Sequence, residues 1–270
     1  MSKKAKFAFF GGEPLSVPVL NKLYQSGFIP ALIISNPDKP QGRNLQITPP
    51  PVAIWAKEHN IPLLQPEKLN KEEIRGSFDF FIVVSYGKII PKEILDLPKL
   101  GTMNIHPSLL PLYRGPAPIV SAILNGDQET GATIIKIDKE MDHGPILAQE
   151  KIILSGNEFI QNLEKTLAEL GGKLLVKTIP EFITGTVKIK EQDHSRATYV
   201  KKIVKADGEI DLEDEPIKNW GKFRAYATWP RTFFFKDGKR IIITKARLEN
   251  NKFIIEKIIP EGSKEMDYKN

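Results

Sequence analysis

The sequence contains no cysteine, which excludes disulfides, thiolate nucleophiles and thiolate metal ligands. Its four histidines are scattered, with no metal-ligand spacing between them, and no structural metal is expected. No run approaches the ~20 apolar residues needed to span a bilayer. Met1-Ser2-Lys3-Lys4 leads straight into an apolar strand-like segment and not into a signal-peptide hydrophobic region. The expectation is a cytoplasmic protein without membrane association. A full dinucleotide-binding fingerprint is missing too. Gly11-Gly12-Glu13 does not complete G-x-G-x-x-G, and Asn36 stands where an acidic residue would be needed at the end of the second strand. A nicotinamide dehydrogenase is rejected on that ground.

What is present is a chain of 270 residues, 41% hydrophobic and 27% charged, enough for one large or two unequal domains with a sizeable core. Charge is unevenly placed. Residues 1–195 hold 22 basic against 21 acidic side chains, whereas residues 196–270 hold 17 against 12. The C-terminal end is therefore the part expected to meet phosphate, although a solvated basic surface explains an excess of this size equally well.

Strand and helix patterns alternate to about residue 190, as in a doubly wound sheet. Strands are expected at Phe7–Phe10, Ile29–Ile34, Ile61–Leu64, Phe80–Val84, Gly101–Ile105 and Ala132–Ile137. After the Gly11-Gly12 turn, Ser16 can cap a helix with Pro18 in its first turn and Val19, Leu20 and Leu23 at helical spacing. Further helices are expected up to about His59, over Pro116–Asn125 with Gly126 as its stop, and from an Asn157 cap to about Lys177. The proline-rich stretch Asn36–Pro51 is long for a strand-to-helix connection, and such loops are commonly functional or disordered. From about Glu191 the apolar periodicity gives way to polar and basic residues, with a turn at Ala206-Asp207-Gly208. A helix over Pro216–Tyr226 follows, then short strands with hairpin signals at Asp237-Gly238 and Asn250-Asn251. The expected organisation is a catalytic domain over 1–190, a linker over 191–207 and a small second domain over 208–270.

The most specific feature is Asn104-Ile-His106-Pro-Ser-Leu-Leu-Pro111, completed by Asp142 in Met141-Asp142-His143-Gly144-Pro145. Residues two apart on a strand share a face, so Asn104 and His106 address one site. In an open α/β sheet that site lies beyond the carboxyl end of the strand, where Pro107 breaks the pairing. Asp142 follows the strand Ala132–Ile137 and opens onto the same crevice. These groups suit attack by an amine on an activated one-carbon carbonyl. The Asn104 carboxamide can donate to the developing oxyanion, a contact of the kind typically worth ~3 kcal/mol. His106, with a reference pKa near 6.5, can accept the nucleophile's proton or donate to the oxyanion. Asp142 can orient the imidazole or hold a water. Singly, these residues read as a turn former, a satisfied core polar group and a cap; together with Arg114-Gly115-Pro116-Ala117-Pro118 they read as a site. His143 is taken as peripheral. Phe233-Phe234-Phe235 could stack bases, but alternation in a strand favours core.

At these residues the chain resembles the N10-formyltetrahydrofolate-dependent transformylases. The resemblance covers nearly the whole length: Phe9-Phe10-Gly11, Pro37–Arg43, Ser85–Pro91, Asn104–Pro118, Gly131–Gly144 and Arg224–Pro230. It implies a mostly parallel Rossmann-like α/β sheet followed by an oligonucleotide-binding-like (OB-like) β domain. That domain is shortened here, since Lys245-Ala246-Arg247-Leu248 passes almost at once into the strand Phe253–Ile259. The resemblance further implies formyl transfer from 10-formyltetrahydrofolate to the α-amino group of methionine carried by the initiator tRNA. Asn104, His106 and Asp142 would be the catalytic trio. Ser108, Leu109, Leu110 and Pro111 would line the folate, together with Tyr86, Gly87 and Ile89. In tRNA-acting members the insertion after strand two reaches the acceptor stem, which assigns Arg43 and Lys39 to tRNA. A monomer is expected. Gly-Gly-Glu departs from the family's usual Gly-Thr-Pro in the first turn.

Sister activities share such a trio. Glycinamide ribonucleotide transformylation would need a glycine- and serine-rich phosphate cradle in the first turn, which Gly11-Gly12-Glu13-Pro14-Leu15 does not supply. Formylation of nucleotide amino sugars and hydrolysis of formyl-folate are the nearer alternatives, and the Pro37–Arg43 insertion argues against both. A non-catalytic RNA-binding protein would fit the sequence pI of 9.2 but leaves the intact trio without purpose.

Overall fold

A computed structural model describes residues 5–41 and 45–269. In chain order the elements are β1 (Phe7–Gly11), α1 (Ser16–Gln25), β2 (Leu32–Ile34), β3 (Lys39–Gln41), β4 (Gln46–Thr48), α2 (Pro51–Glu58), β5 (Leu63–Leu64), β6 (Phe80–Val84), α3 (Lys92–Leu95) and β7 (Thr102–His106). There follow α4 (Pro118–Asn125), β8 (Glu129–Lys136), β9 (Ile146–Ile153), α5 (Ile160–Thr184), α6 (Pro216–Ala225), β10 (Phe233–Lys236), β11 (Lys239–Glu249), β12 (Lys252–Pro260) and β13 (Met266–Asp267). Contacts group these into two compact units. One comprises residues 1–114, 131–151 and 165–198; the other comprises 115–130, 152–164 and 199–270.

The seven-stranded sheet runs β5-β2-β1-β6-β7-β8-β9. β1 pairs in parallel with β2 and β6, β6 with β7 and β2 with β5, whereas β7 and β8 are antiparallel. Every residue of β1 and β6 is buried, as their unbroken apolar runs require of central parallel strands. Alternate residues feed two cores. Phe7, Phe9, Ile33, Phe80 and Ile82 pack with side chains of α1, α2 and α5, among them Leu20, Trp55 and Leu175. Ala8, Phe10, Ile34, Phe81 and Val83 pack on the opposite side with Ile74, Phe78 and Ile94. Three helices thus cover one face, and loop residues with the single-turn α3 cover the other around a mostly parallel, Rossmann-like sheet.

Local chemistry shifts several boundaries. Ser16 is the first helical residue of α1, not its cap, and its hydroxyl donates to the Val84 carbonyl at 2.7 Å. The side-chain oxygen that could have capped a helix end instead fastens that helix to β6. Asn157 lies three residues before α5 starts at Ile160, and the helix runs past the exposed Pro180 to Thr184. The proline-rich connection contains a two-stranded hairpin in which Lys39 pairs with Thr48 and Pro40 with Ile47.

In the second unit β10, β11, β12 and β13 form an antiparallel sheet in that order. Asp237-Gly238 and Asn250-Asn251 have φ of 51°, 74°, 49° and 55°, the left-handed pairs that two-residue hairpins need. The sheet's apolar face (Phe234, Ile241, Ile243, Ile258) packs with Trp220 and Phe223 of α6, with Ile210 and with Phe159. Phe233 and Phe234 are buried while Phe235 is exposed, so this strand mainly supplies core.

Candidate active site

β7 lies between β6 and β8, with Asn104 opposite Val83 on one side and Ile135 on the other, and His106 opposite Thr133. The strand presents Asn104 and His106 on one face, as the sequence requires. His106 is 4% exposed. Its Nε2 lies 2.9 Å from the Tyr113 carbonyl, which can only accept, so Nε2 carries a proton and donates. In the neutral ring Nδ1 is then the basic nitrogen. It lies 3.6 Å from Asp142 Oδ1. A proton gained at Nδ1 arrives facing a carboxylate. Among the described residues the half-buried Asn104 carboxamide has no hydrogen-bond partner, which keeps its donors available.

The loop after β7 is fixed from within. Ser108 Oγ donates to Leu112 O at 2.6 Å, and the Thr133 hydroxyl donates to Ser108 O at 2.6 Å while accepting from Leu110 N at 3.2 Å. Gln149 Nε2 donates to Leu110 O and to Thr133 Oγ1, both at 2.9 Å. The Leu110–Pro111 peptide is cis. The Ser108 hydroxyl and the buried Leu110 side chain therefore hold the loop itself, whereas Leu109 and Pro111 are half-buried.

Tyr86 is different again. Its ring is buried edge-on against Phe10 at 5.6 Å, and its hydroxyl has no hydrogen-bond partner among the described residues. Burial pushes its phenol up to about 12. Its carbonyl accepts from Asn36 Nδ2 at 2.8 Å. Tyr86 is thus a core residue, and beside it Gly87 and Ile89 are exposed. The Gly11-Gly12-Glu13 turn closes on the same region, where the amides of Gly12 and Glu13 donate to Ser85 O at 3.3 Å. Lys39 is exposed at the start of β3; Arg43 lies outside the described residues.

Asp142 sits at φ 51° in the turn after β8. That turn is pressed against the strand it leaves: a Cβ on Gly144 would lie 1.9 Å from the Lys136 carbonyl, so only glycine fits. His143 turns aside, its Nδ1 bonded to Asp138 at 2.6 Å and its ring stacked on His194 at 4.0 Å. His59 stacks on Trp55 at 3.9 Å. Among the described residues no group of three or more histidine, aspartate or glutamate side chains could hold a metal. Sequence reading missed Thr133, Gln149, Gln192 and Arg114, which hold the site's loops. Arg114 lay inside a singled-out motif, but Gln192 fell in the stretch taken for a linker, where nothing in the pattern set it apart.

A doubly wound sheet carrying a carboxamide, an imidazole and a carboxylate at one strand end is matched by a formyl transferase family model over residues 5–179, and a formyl transferase C-terminal domain model matches residues 202–265. The chain belongs to the formyl transferase family. Within it, the methionyl-tRNA formyltransferase of Chloroflexus aggregans is 40% identical over 246 residues, spanning 89% of this chain and 80% of that one. The methionyl-tRNA formyltransferase of Thermotoga maritima is 42% identical over 232 residues, 83% of this chain and 74% of that one. Among solved structures, the methionyl-tRNA formyltransferase of Clostridium thermocellum superposes with a TM-score of 0.65 at 17% identity, covering 98% of this chain and all of that one at 100%. An N-formyltransferase from Helicobacter canadensis, solved with folinic acid and dTDP-3-aminofucose, gives 0.71 at 19% identity over 98% and 100% of the two chains. These two structures establish likeness of fold.

Proposed function

We propose that this chain acts as a methionyl-tRNA formyltransferase, taking the formyl group of 10-formyltetrahydrofolate and placing it on the α-amino group of methionine esterified to initiator tRNA. The observation that carries the reading is the 3.6 Å approach of His106 Nδ1 and Asp142 Oδ1, with Asn104 two residues before His106 on the same strand face. The amine attacks the formyl carbon and a carbon–nitrogen bond forms. The carbonyl oxygen becomes an oxyanion, to which the Asn104 side-chain NH2 donates. The surplus proton on the attacking nitrogen passes to His106 Nδ1, directly or through a water, and then to N10 of the folate as the bond to the formyl carbon breaks. Asp142 faces the imidazolium that forms in between.

Leu109, Pro111 and Gly87 are proposed to line the folate, with Ile89 at the rim. Tyr86, Ser108 and Leu110 support that wall through backbone and packing. Lys39 and Arg43 are proposed to meet the tRNA acceptor stem, and the enzyme to work as a monomer in the cytoplasm. Identity of ~40% to methionyl-tRNA formyltransferases over more than four fifths of the chain favours a charged tRNA over an amino sugar.

The deciding experiment supplies labelled formyl-folate with charged initiator tRNA, charged elongator tRNA, glycinamide ribonucleotide, a nucleotide amino sugar, or water alone. Label is expected on the charged initiator tRNA. Preferential transfer to the amino sugar, or release as formate only, would sink the assignment. His106→Ala is expected to lower turnover by about 10²–10⁴ with the thermal transition intact, and Asn104→Ala by about 10²–10³. Normal single-turnover rates in either variant would remove that residue from the chemistry.

A further inference from the structure

Both polar contacts of His106 rest on backbone in an unfavourable conformation. Tyr113, whose carbonyl accepts the hydrogen bond from Nε2, has φ 61°, and Asp142, whose carboxylate faces Nδ1, has φ 51°. Left-handed backbone at non-glycine residues is unfavourable and persists only where surrounding structure enforces it. One segment bonds to the backbone of both. Residues 190–198 begin at an antiparallel bridge between Lys190 and Ile146, with amide-to-carbonyl distances of 2.8 and 2.9 Å. Gln192 follows, 5% exposed. Its Nε2 donates to the carbonyls of Asp142 at 2.9 Å and Gly144 at 2.7 Å, and its Oε1 accepts from Arg114 Nη2 at 2.7 Å and Nε at 3.2 Å. A single carboxamide therefore ties the aspartate turn to the residue after Tyr113. Six residues on, Thr198 accepts the amide of Tyr113 on its hydroxyl at 2.7 Å and the amide of Arg114 on its carbonyl at 2.8 Å. Arg114 Nη2 also donates to His194 Nδ1 at 2.8 Å, closing the segment on itself.

We propose that residues 190–198 form a strap that positions the catalytic imidazole, with Gln192 setting Asp142 and Thr198 setting Tyr113. Neither is a catalytic residue; each acts through the backbone of a group that touches His106. The proposal rests on the reading of His106 as the proton carrier, and it predicts a dependence on Asp142 that a general stabilising role does not.

The test is a pair of double-mutant cycles on the full chain, with single-turnover formylation of charged initiator tRNA as readout and urea denaturation to confirm folding. Gln192→Leu keeps the volume and removes both donors. It is expected to slow the chemical step about 10- to 100-fold while folate and tRNA dissociation constants stay within about threefold. In an Asp142→Asn background the same change is expected to cost less than threefold, whereas with Asn104→Ala the losses multiply. Thr198→Val, at an exposed site that threatens folding less, is expected to slow the step several-fold with binding unchanged. Independently of activity, hydrogen exchange at the amides of 141–145 is expected to accelerate in Gln192→Leu. An unchanged rate in folded Gln192→Leu, or full multiplication with Asp142→Asn, overturns the strap's role. A wild-type chain that exchanges as expected but formylates nothing overturns the functional reading, and the strap's catalytic role with it.

Discussion

At the residue scale the site separates groups that hold from groups that react. Asn104 keeps its donors available, while Ser108, Thr133 and Gln149 have theirs committed to the loop after β7. Tyr86 is the clearest case of a residue whose motif suggested contact with a ligand and whose environment assigns it to packing. Its buried hydroxyl lacks a partner among the described residues, and an unsatisfied buried polar group costs on the order of 1–3 kcal/mol. Tyr86→Phe is therefore expected to raise stability by about 1 kcal/mol in urea denaturation and to leave folate affinity unchanged. The sign with pH is fixed by the phenol pushed up to about 12. Below pH ~10 the side chain is neutral in both folded and unfolded states; between there and about 12 the unfolded chain loses the proton first, so stability falls as pH rises. Tyr86→Phe is expected to flatten that alkaline decline. An unaltered slope from pH 10 to 12 would place the ring in water.

At the element scale most of the sheet was legible because strand cores are written in consecutive apolar residues: Phe80–Val84 appears as β6 residue for residue. Asn104 and His106 were legible for the same reason, through a period of two. Long-range geometry was not. No local pattern announces that β8 runs antiparallel to β7, that Ser16 reaches the Val84 carbonyl, or that Gln192 folds back onto the turn at Asp142. These depend on partners 25 to 70 residues away in the chain; the Ser16 and Gln192 bonds span 68 and 50 residues. One helix end was marked locally, at Gly126, which stops α4 at φ 65° with open space where a Cβ would stand. Gly126→Ala is consequently expected to cost about 1 kcal/mol through backbone conformation alone. A loss beyond twice that in thermal unfolding would mean that a clash, not the left-handed conformation, sets the penalty.

At the scale of the whole molecule, the expected succession of 1–190, linker and 208–270 meets a contact pattern in which both units draw on separated stretches of chain. The polar composition after Glu191 suggested a linker, yet Gln192 is buried and residues up to Thr198 group with the first unit. Residues 115–130 and 152–164 group with the C-terminal part, where α4 packs on α6 and Phe159 meets Trp220 at 5.7 Å. A fragment of residues 199–270 lacks both pieces. It is expected to show no cooperative thermal transition by circular dichroism, whereas the full chain does. A sharp, reversible melt of that fragment would show that its own strands suffice.

The pairing of α4 with α6 has a consequence for vectorial synthesis. Pro118–Asn125 leaves the ribosome roughly 90 residues before Pro216–Ala225, which at elongation speeds of about 5–20 residues per second is a wait of ~5–20 s. Through that interval Ile119, Val120 and Ile123, buried in the finished protein, have no mate. Until the last helix emerges, that apolar face is open to chaperone capture, and to aggregation when chaperones are scarce.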